Sequence, residues 1–190
     1  MLLRATPADA YAAARRHFLD GDRLDLVALS TELGVARMTL YRWTGSREQL
    51  LVDVITAELQ QLFDMCVADA RGKGAARLER IVGSFIESVA TASSTRGFLA
   101  NEGAAGVQLL TAPNGPLRPR IVANVYRLIR EQVDAGTYRP PADPRILADG
   151  IVSLGERYLH NGGDPTLNPD PTSARVIVRL MLREDATHPH

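Results

Sequence analysis

Chemically reactive side chains are scarce in this 190-residue chain. It holds a single cysteine, Cys66, which excludes an intrachain disulfide and argues against a cysteine-based metal site. The apolar neighbours of Cys66 at helical spacing place it in a core. Of the histidines, His17, His160, His188 and His190, no pair has metal-ligand spacing with a second ligand nearby. His160 with Asp164 reads as a helix end and turn. Ser84 in Gly83-Ser84-Phe85 lacks the glycine two residues on that a nucleophile elbow needs. Gly72-Lys73-Gly74 lacks the spacing of a phosphate-binding loop and reads as an interhelical linker. No enzyme, metal or cofactor is expected.

Charge of one sign is also missing. Lysine plus arginine and aspartate plus glutamate each number 22, so no global field draws in nucleic acid, and any such affinity must come from local clustering. Lys73 is the only lysine. That scarcity, with abundant alanine, suggests a GC-rich bacterial genome and says nothing of mechanism. No segment approaches the ~20 apolar residues of a membrane span. Arg4, Asp9 and Arg15 interrupt any apolar run of the kind a secretory signal needs, so a cytoplasmic protein without membrane contact is expected.

Helix signals are plentiful, and no strand alternation competes with them. Thr6-Pro7-Ala8-Asp9 is a capping box with proline at the first helical position, and it opens a helix ending near Gly21. Ser46-Arg47-Glu48-Gln49 is a second box, opening a long helix to about residue 70. Further helices are expected at 75–92, 96–110, 119–135, 144–160 and 171–183, with a disordered tail from Glu184. The segment at 96–110 carries Gly97, Gly103 and Gly106 and reads as weak or interrupted. With two short helices inside residues 25–46, the pattern gives nine helices and an all-α fold.

Residues 25–50 carry the densest information. Asp25 can cap a short helix whose Leu26, Leu29 and Leu33 share one face, and Gly34 ends it where a left-handed backbone is needed. A second short helix, Arg37 to Trp43, follows after one turn, with Val35 and Leu40 pointing to the core. Three arginines and no acid lie in the stretch from Gly34 through Arg47. Arg37, Thr39 and Tyr41 supply the charge and hydrogen-bonding tips that a DNA major groove and its phosphates require.

Leu33-Gly34-Val35, Ala36-Arg37-Met38-Thr39-Leu40-Tyr41-Arg42-Trp43-Thr44 and Gly45-Ser46-Arg47-Glu48-Gln49-Leu50 together resemble the DNA-binding domain of the TetR family of one-component repressors. The resemblance is specific over roughly residues 5–55 and beyond that concerns helical layout. The Leu-Tyr-Arg-Trp-Thr-Gly-Ser variant resembles a branch that regulates quorum-signal degradation. The resemblance implies a helix-turn-helix head at 1–46 and a helical effector-binding and dimerisation body at 47–190. It implies a homodimer on a palindromic operator, released by a small-molecule effector. Arg37 and Met38 would then face base edges, and Thr39, Tyr41 and Arg47 would hold phosphates. Three departures stand out. Ala36 replaces the usual cap serine, a loss of about 1 kcal/mol. Thr44 stands where the family has a core phenylalanine, and Trp43 where it has a phosphate-binding histidine. Trp43 therefore has two readings, a half-core aromatic filling the space beside Thr44 or a phosphate contact through its indole N–H. Asp25 stands where many relatives have threonine, and is read as a cap only.

In the last helix Val176, Ile177, Val178, Leu180, Met181 and Leu182 cover most of the circumference, leaving Arg175, Arg179 and Arg183 as one polar stripe. Such a helix must bury two faces. The preceding helix offers small residues, among them Gly150, that permit close approach. A four-helix dimer interface with Gly150, Leu154, Val178 and Leu182 is expected, against a buried hairpin in a monomer. An apolar effector pocket in the body is expected to draw on Phe63, Phe85, Phe98, Tyr126, Arg130 and Tyr158, each of which could equally serve packing or face solvent. The 5% aromatic content does not suggest a large cage for flat ligands. The alternative is a small-molecule-binding or enzymatic helical protein with a vestigial head, supported by the zero net charge and the missing cap serine.

Overall fold

The computed structural model describes residues 5–159 and 171–184. Among the described residues the chain forms nine helices and no strand: α1 (Pro7–Asp20), α2 (Leu26–Glu32), α3 (Arg37–Thr44), α4 (Arg47–Asp69), α5 (Gly74–Thr91), α6 (Ser93–Thr111), α7 (Arg118–Asp134), α8 (Pro144–Arg157) and α9 (Pro171–Met181). The helix starts follow the sequence signals. Thr6 and Asp9 form a reciprocal capping box, Asp25 accepts from the amide of Val27 at 2.6 Å, and Ser46 accepts from that of Gln49 at 3.1 Å. Asp143 caps α8. The expected cap Asp170, the His160–Asp164 turn and the tail beyond Glu184 lie outside the described residues. Glu184 itself accepts from the amide of Arg139 at 3.2 Å.

Packing divides the chain into two units. The first comprises residues 1–60 and 92–106, and the second residues 61–91 and 107–190. In the first, α1, α2 and α3 pack around Ala10, Ala14, Phe18, Leu29 and Leu40, joined by Leu50, Leu51, Val54 and Ile55 of α4. The first part of α6 belongs to this unit too. Phe98 meets Phe18 edge-to-face at 6.1 Å, and Asn101 donates to the Gly21 carbonyl at 2.9 Å. A Cβ on Gly97 would lie 2.6 Å from the Gly21 Cα, so glycine is what lets the two backbones meet. The expected interruption of this helix falls at Gly103, whose φ of 55° and ψ of −135° leave the helical region.

In the second unit α5 packs on α9, and α7 on α8. The core takes Phe63 from α4, Leu78, Ile81, Val82 and Phe85 from α5, Val125, Leu128 and Ile129 from α7, Leu147, Ile151 and Val152 from α8, and Ala174, Val178 and Leu182 from the α9 segment. Gly83 leaves the notch over which the Arg175 side chain passes on its way to Ser84 and Glu87. Tyr138 closes the far end of α9 by donating to the Leu182 carbonyl at 3.1 Å, one of the carbonyls a helix end leaves unpaired.

Candidate functional site

The turn between α2 and α3 is built by backbone geometry. Gly34 takes φ 64°, its amide donates to the Thr31 carbonyl, and the Val35 amide donates to Ser30 at 3.0 Å. This Schellman ending satisfies the last carbonyls of α2 and sends the chain straight into α3. Ala36 caps α3 with no side-chain hydrogen bond, as its loss of the hydroxyl requires. Leu40 is buried and holds α3 to α1 and α2. On the opposite face Arg37, Met38, Tyr41 and Arg42 are all exposed, Met38 by 75% and Tyr41 by 55%. Their spacing gathers them on one arc of a helix with a 3.6-residue period. Thr39 and Trp43 are half-buried, Trp43 on the side of the helix nearer Leu40. Thr44 turns its hydroxyl onto the Leu40 carbonyl at 3.0 Å.

Arg42 was not among the expected contacts, although its position four residues beyond Met38 places it on the same face. Helical periodicity alone would have found it.

Arg47, expected at a phosphate, has internal partners in the structure. Its guanidinium is engaged within the unit: Nη1 donates to Glu102 at 3.1 Å, Nη2 donates to the other oxygen of the same carboxylate, and Nε donates to the Leu24 carbonyl at 2.6 Å. The side chains are 22% and 16% exposed, and the Glu102 carboxylate raises the guanidinium pKa above its ordinary value, against the opposing effect of burial. No signal near residue 47 announces a partner at residue 102, because the pair is made by tertiary packing.

The six residues expected around an effector fall in both units, each beside a partner of its own. Phe63 and Phe85 meet edge-to-face at 5.4 Å in the second unit, while Phe98 belongs to the first. Tyr126 is half-buried under the Arg145 guanidinium, Arg130 is exposed and pairs with Asp134 at 2.7 Å, and Tyr158 shares a 2.9 Å hydrogen bond with Ser173. A cleft of about 330 Å³ opens along α4 and α5, lined by Leu62, Met65, Cys66, Asp69, Arg80, Ser84 and Arg175 among others. Burial pushes the Cys66 thiol pKa up, Asp69 adds to this, and Arg175 opposes it. Among the described residues no three His, Cys, Asp or Glu side chains converge as a metal site would need.

The expected subunit-contact residues also divide. Val178 and Leu182 are inside their own unit, at 0% and 1% exposure, so neither can be the outward contact. Arg175 and Arg179 turn toward Glu87 and Glu79 of α5. What α9 shows outward is Val176, Ile177 and Leu180, 58%, 40% and 61% exposed. On α8, Ile146 is exposed, and Gly150 and Leu154, at four-residue intervals from it, are half-buried. With apolar residues on both sides of α9, the sequence could not tell the inner face from the outer.

All-helical described residues with a helix-turn-helix, an exposed basic face on its second helix and a further helical unit match the architecture of helix-turn-helix regulators. The family model described as tetracyclin repressor-like, C-terminal domain, matches residues 73–183. The chain belongs to the TetR family of transcriptional regulators. Among solved structures, the transcriptional repressor QsdR of R. erythropolis is 25% identical with a TM-score of 0.77, covering 97% of each chain. AlkX, a TetR family repressor from a Dietzia strain implicated in the biodegradation of n-alkanes, is 18% identical with a TM-score of 0.61, covering 94% of this chain and 95% of that one. FadR of Bacillus subtilis, solved with stearoyl-CoA, is 13% identical with a TM-score of 0.60, covering 93% and 97%. No curated protein matches. No helix among the described residues is long and apolar enough to cross a membrane.

Proposed function

We propose that this regulator is a cytoplasmic, homodimeric repressor that binds a palindromic operator through residues 1–46 and is released by a small-molecule effector held in the body, 47–190. The carrying observation is the exposed face of α3: Arg37, Met38, Tyr41 and Arg42 stand together, backed by the buried Leu40, on a helix presented by a rigid turn. A helix so presented fits the major groove, with Arg37 and Met38 toward base edges and Thr39, Tyr41 and Arg42 toward phosphates. Trp43 is half-buried, and both of its readings, a phosphate contact through the indole N–H and a half-core aromatic, stand beside this face.

The dimer reading is supported by the outward apolar residues Val176, Ile177 and Leu180 of α9 and by the Ile146–Gly150–Leu154 stripe of α8. Two such pairs of helices, one from each subunit, would cover these surfaces. The effector reading is supported by the α4–α5 cleft, which has apolar and polar walls and a volume at the lower end of ligand sites.

Selection of binding sites from a random duplex library tests the proposal. An inverted repeat should be enriched. Arg37→Ala should weaken binding to it by about 1–3 kcal/mol and relax preference at one position per half-site. Failure of the wild type to enrich any sequence, with Arg37→Ala indistinguishable from it, would favour a helical small-molecule-binding protein with a vestigial head.

A further inference from the structure

We propose that Glu102 is an internal competitor for the DNA backbone, holding Arg47 in a two-pronged pair that a phosphate must displace. The inference rests on the DNA-binding reading above. Arg47 is the first residue of α4, three positions after α3 ends, so it belongs to the part of the unit that carries the exposed α3 face. A guanidinium offers the same planar fork to a carboxylate as to a phosphate. Glu102 occupies that fork with both oxygens, one of them 3.1 Å from Nη1.

Two features make this a displaceable pair rather than a sealed one. The side chains are 22% and 16% exposed, so the pair is not sealed from solvent. The Nε bond to the Leu24 carbonyl, 2.6 Å long, is independent of Glu102 and anchors Arg47 beside the start of α2. With that anchor kept, the Nη atoms can exchange a carboxylate for a phosphate without the side chain losing its position on the helix-turn-helix.

The location of Glu102 gives the competition a control point. It directly precedes Gly103, the residue at which α6 departs from helical dihedrals. Glycine alone adopts φ 55° with ψ −135° without strain, and it moves to other regions as readily. A change of backbone at Gly103 that carried Glu102 with it would shift the carboxylate and alter how available Arg47 is. Loosening the pair favours DNA, and tightening it opposes DNA.

The test measures binding to a fluorescent random-sequence duplex of about 30 base pairs, roughly three helical turns, across a salt series. The proteins are the wild type, Glu102→Gln, Arg47→Gln and the double variant, with helicity and melting checked by circular dichroism. Glu102→Gln should bind about two- to fivefold more tightly, the scale of one partly exposed ion pair, and steepen the salt slope by about one unit per head engaged. Arg47→Gln should bind more weakly with a flatter slope, and the double variant should match it. If the gain from Glu102→Gln persists without Arg47, the effect is one of net charge and the competition is overturned. A folded Glu102→Gln that binds like the wild type or more weakly overturns it as well. Should Glu102→Gln lose helicity, Glu102→Asp, which keeps the charge but shortens the reach, must still show a smaller gain dependent on Arg47, and no gain refutes the proposal. A wild type that binds no duplex even at low salt removes the DNA-binding reading itself; an unresponsive Glu102 beside a wild type that binds removes only the competitor.

Discussion

Replacing Gly97 by alanine sets local propensity against tertiary packing, and the two give opposite signs. Gly97 lies inside α6, where alanine gains about 0.5–1 kcal/mol over glycine from backbone entropy. In the folded unit, however, the added Cβ would sit 2.6 Å from the Gly21 Cα and 2.7 Å from its carbonyl oxygen. These are backbone atoms and cannot swing aside. Gly21 is the left-handed cap of α1, fixed by its amide to the Phe18 carbonyl at 3.1 Å and by the following amide to His17 at 2.9 Å. Asn101 binds the same Gly21 carbonyl from α6. Relief therefore requires separating α6 from the end of α1. Overpacking costs about 1–3 kcal/mol, and a backbone neighbour places this site near the upper end. Less the propensity gain, the net loss should be about 2 kcal/mol, or roughly 4–8 °C in melting temperature for a chain of this size. Thermal and urea unfolding followed by far-ultraviolet circular dichroism measure it. A Gly97→Ala protein as stable as the wild type, or more so, would refute the close backbone approach.

Two further outcomes separate inner from outer surfaces and neutral from charged groups. Leu180→Asp places a carboxylate on the outward face of α9 and should dissociate the proposed dimer in sedimentation while helicity is retained. Val178→Asp buries the charge inside the unit, at several kcal/mol, and should unfold it; a wild type already monomeric at micromolar concentration would sink the proposed interface. Burial pushes the Tyr138 phenol up to about 12, with Glu184 adding to the shift. The folded pKa then exceeds the unfolded value of about 10, so this contribution is complete below about pH 10 and is lost as the pH rises to about 12, some 2–3 kcal/mol in all. Tyr138→Phe should lose about 1 kcal/mol at neutral pH with the bond to Leu182, yet decline less steeply in urea midpoint above pH 10 than the wild type. Parallel declines would show that Tyr138 does not carry the alkaline loss.

The sequence by itself determined which stretches are helical and where they begin. A cap or a left-handed turn is settled within a few residues of chain, so Thr6 with Asp9, Asp25, Gly34 and Ser46 could be read directly, and each makes its expected local bond or turn. The exposed side of α3 was legible for the same reason, because one buried leucine in a short helix fixes the opposite face. Tertiary structure alone decided which partner each helix face meets. Gly97 looks like a weak point in a helix and is a backbone contact; Phe98 looks like a pocket aromatic and packs on Phe18; Arg47 looks free for phosphate and is held by Glu102. Val178 and Leu180 are equally apolar, and only the packing of α9 sends one inward and the other outward. Helical periodicity repeats every few residues and records that a face is apolar or charged. The identity of what covers that face is set by residues tens of positions away, which no local pattern encodes.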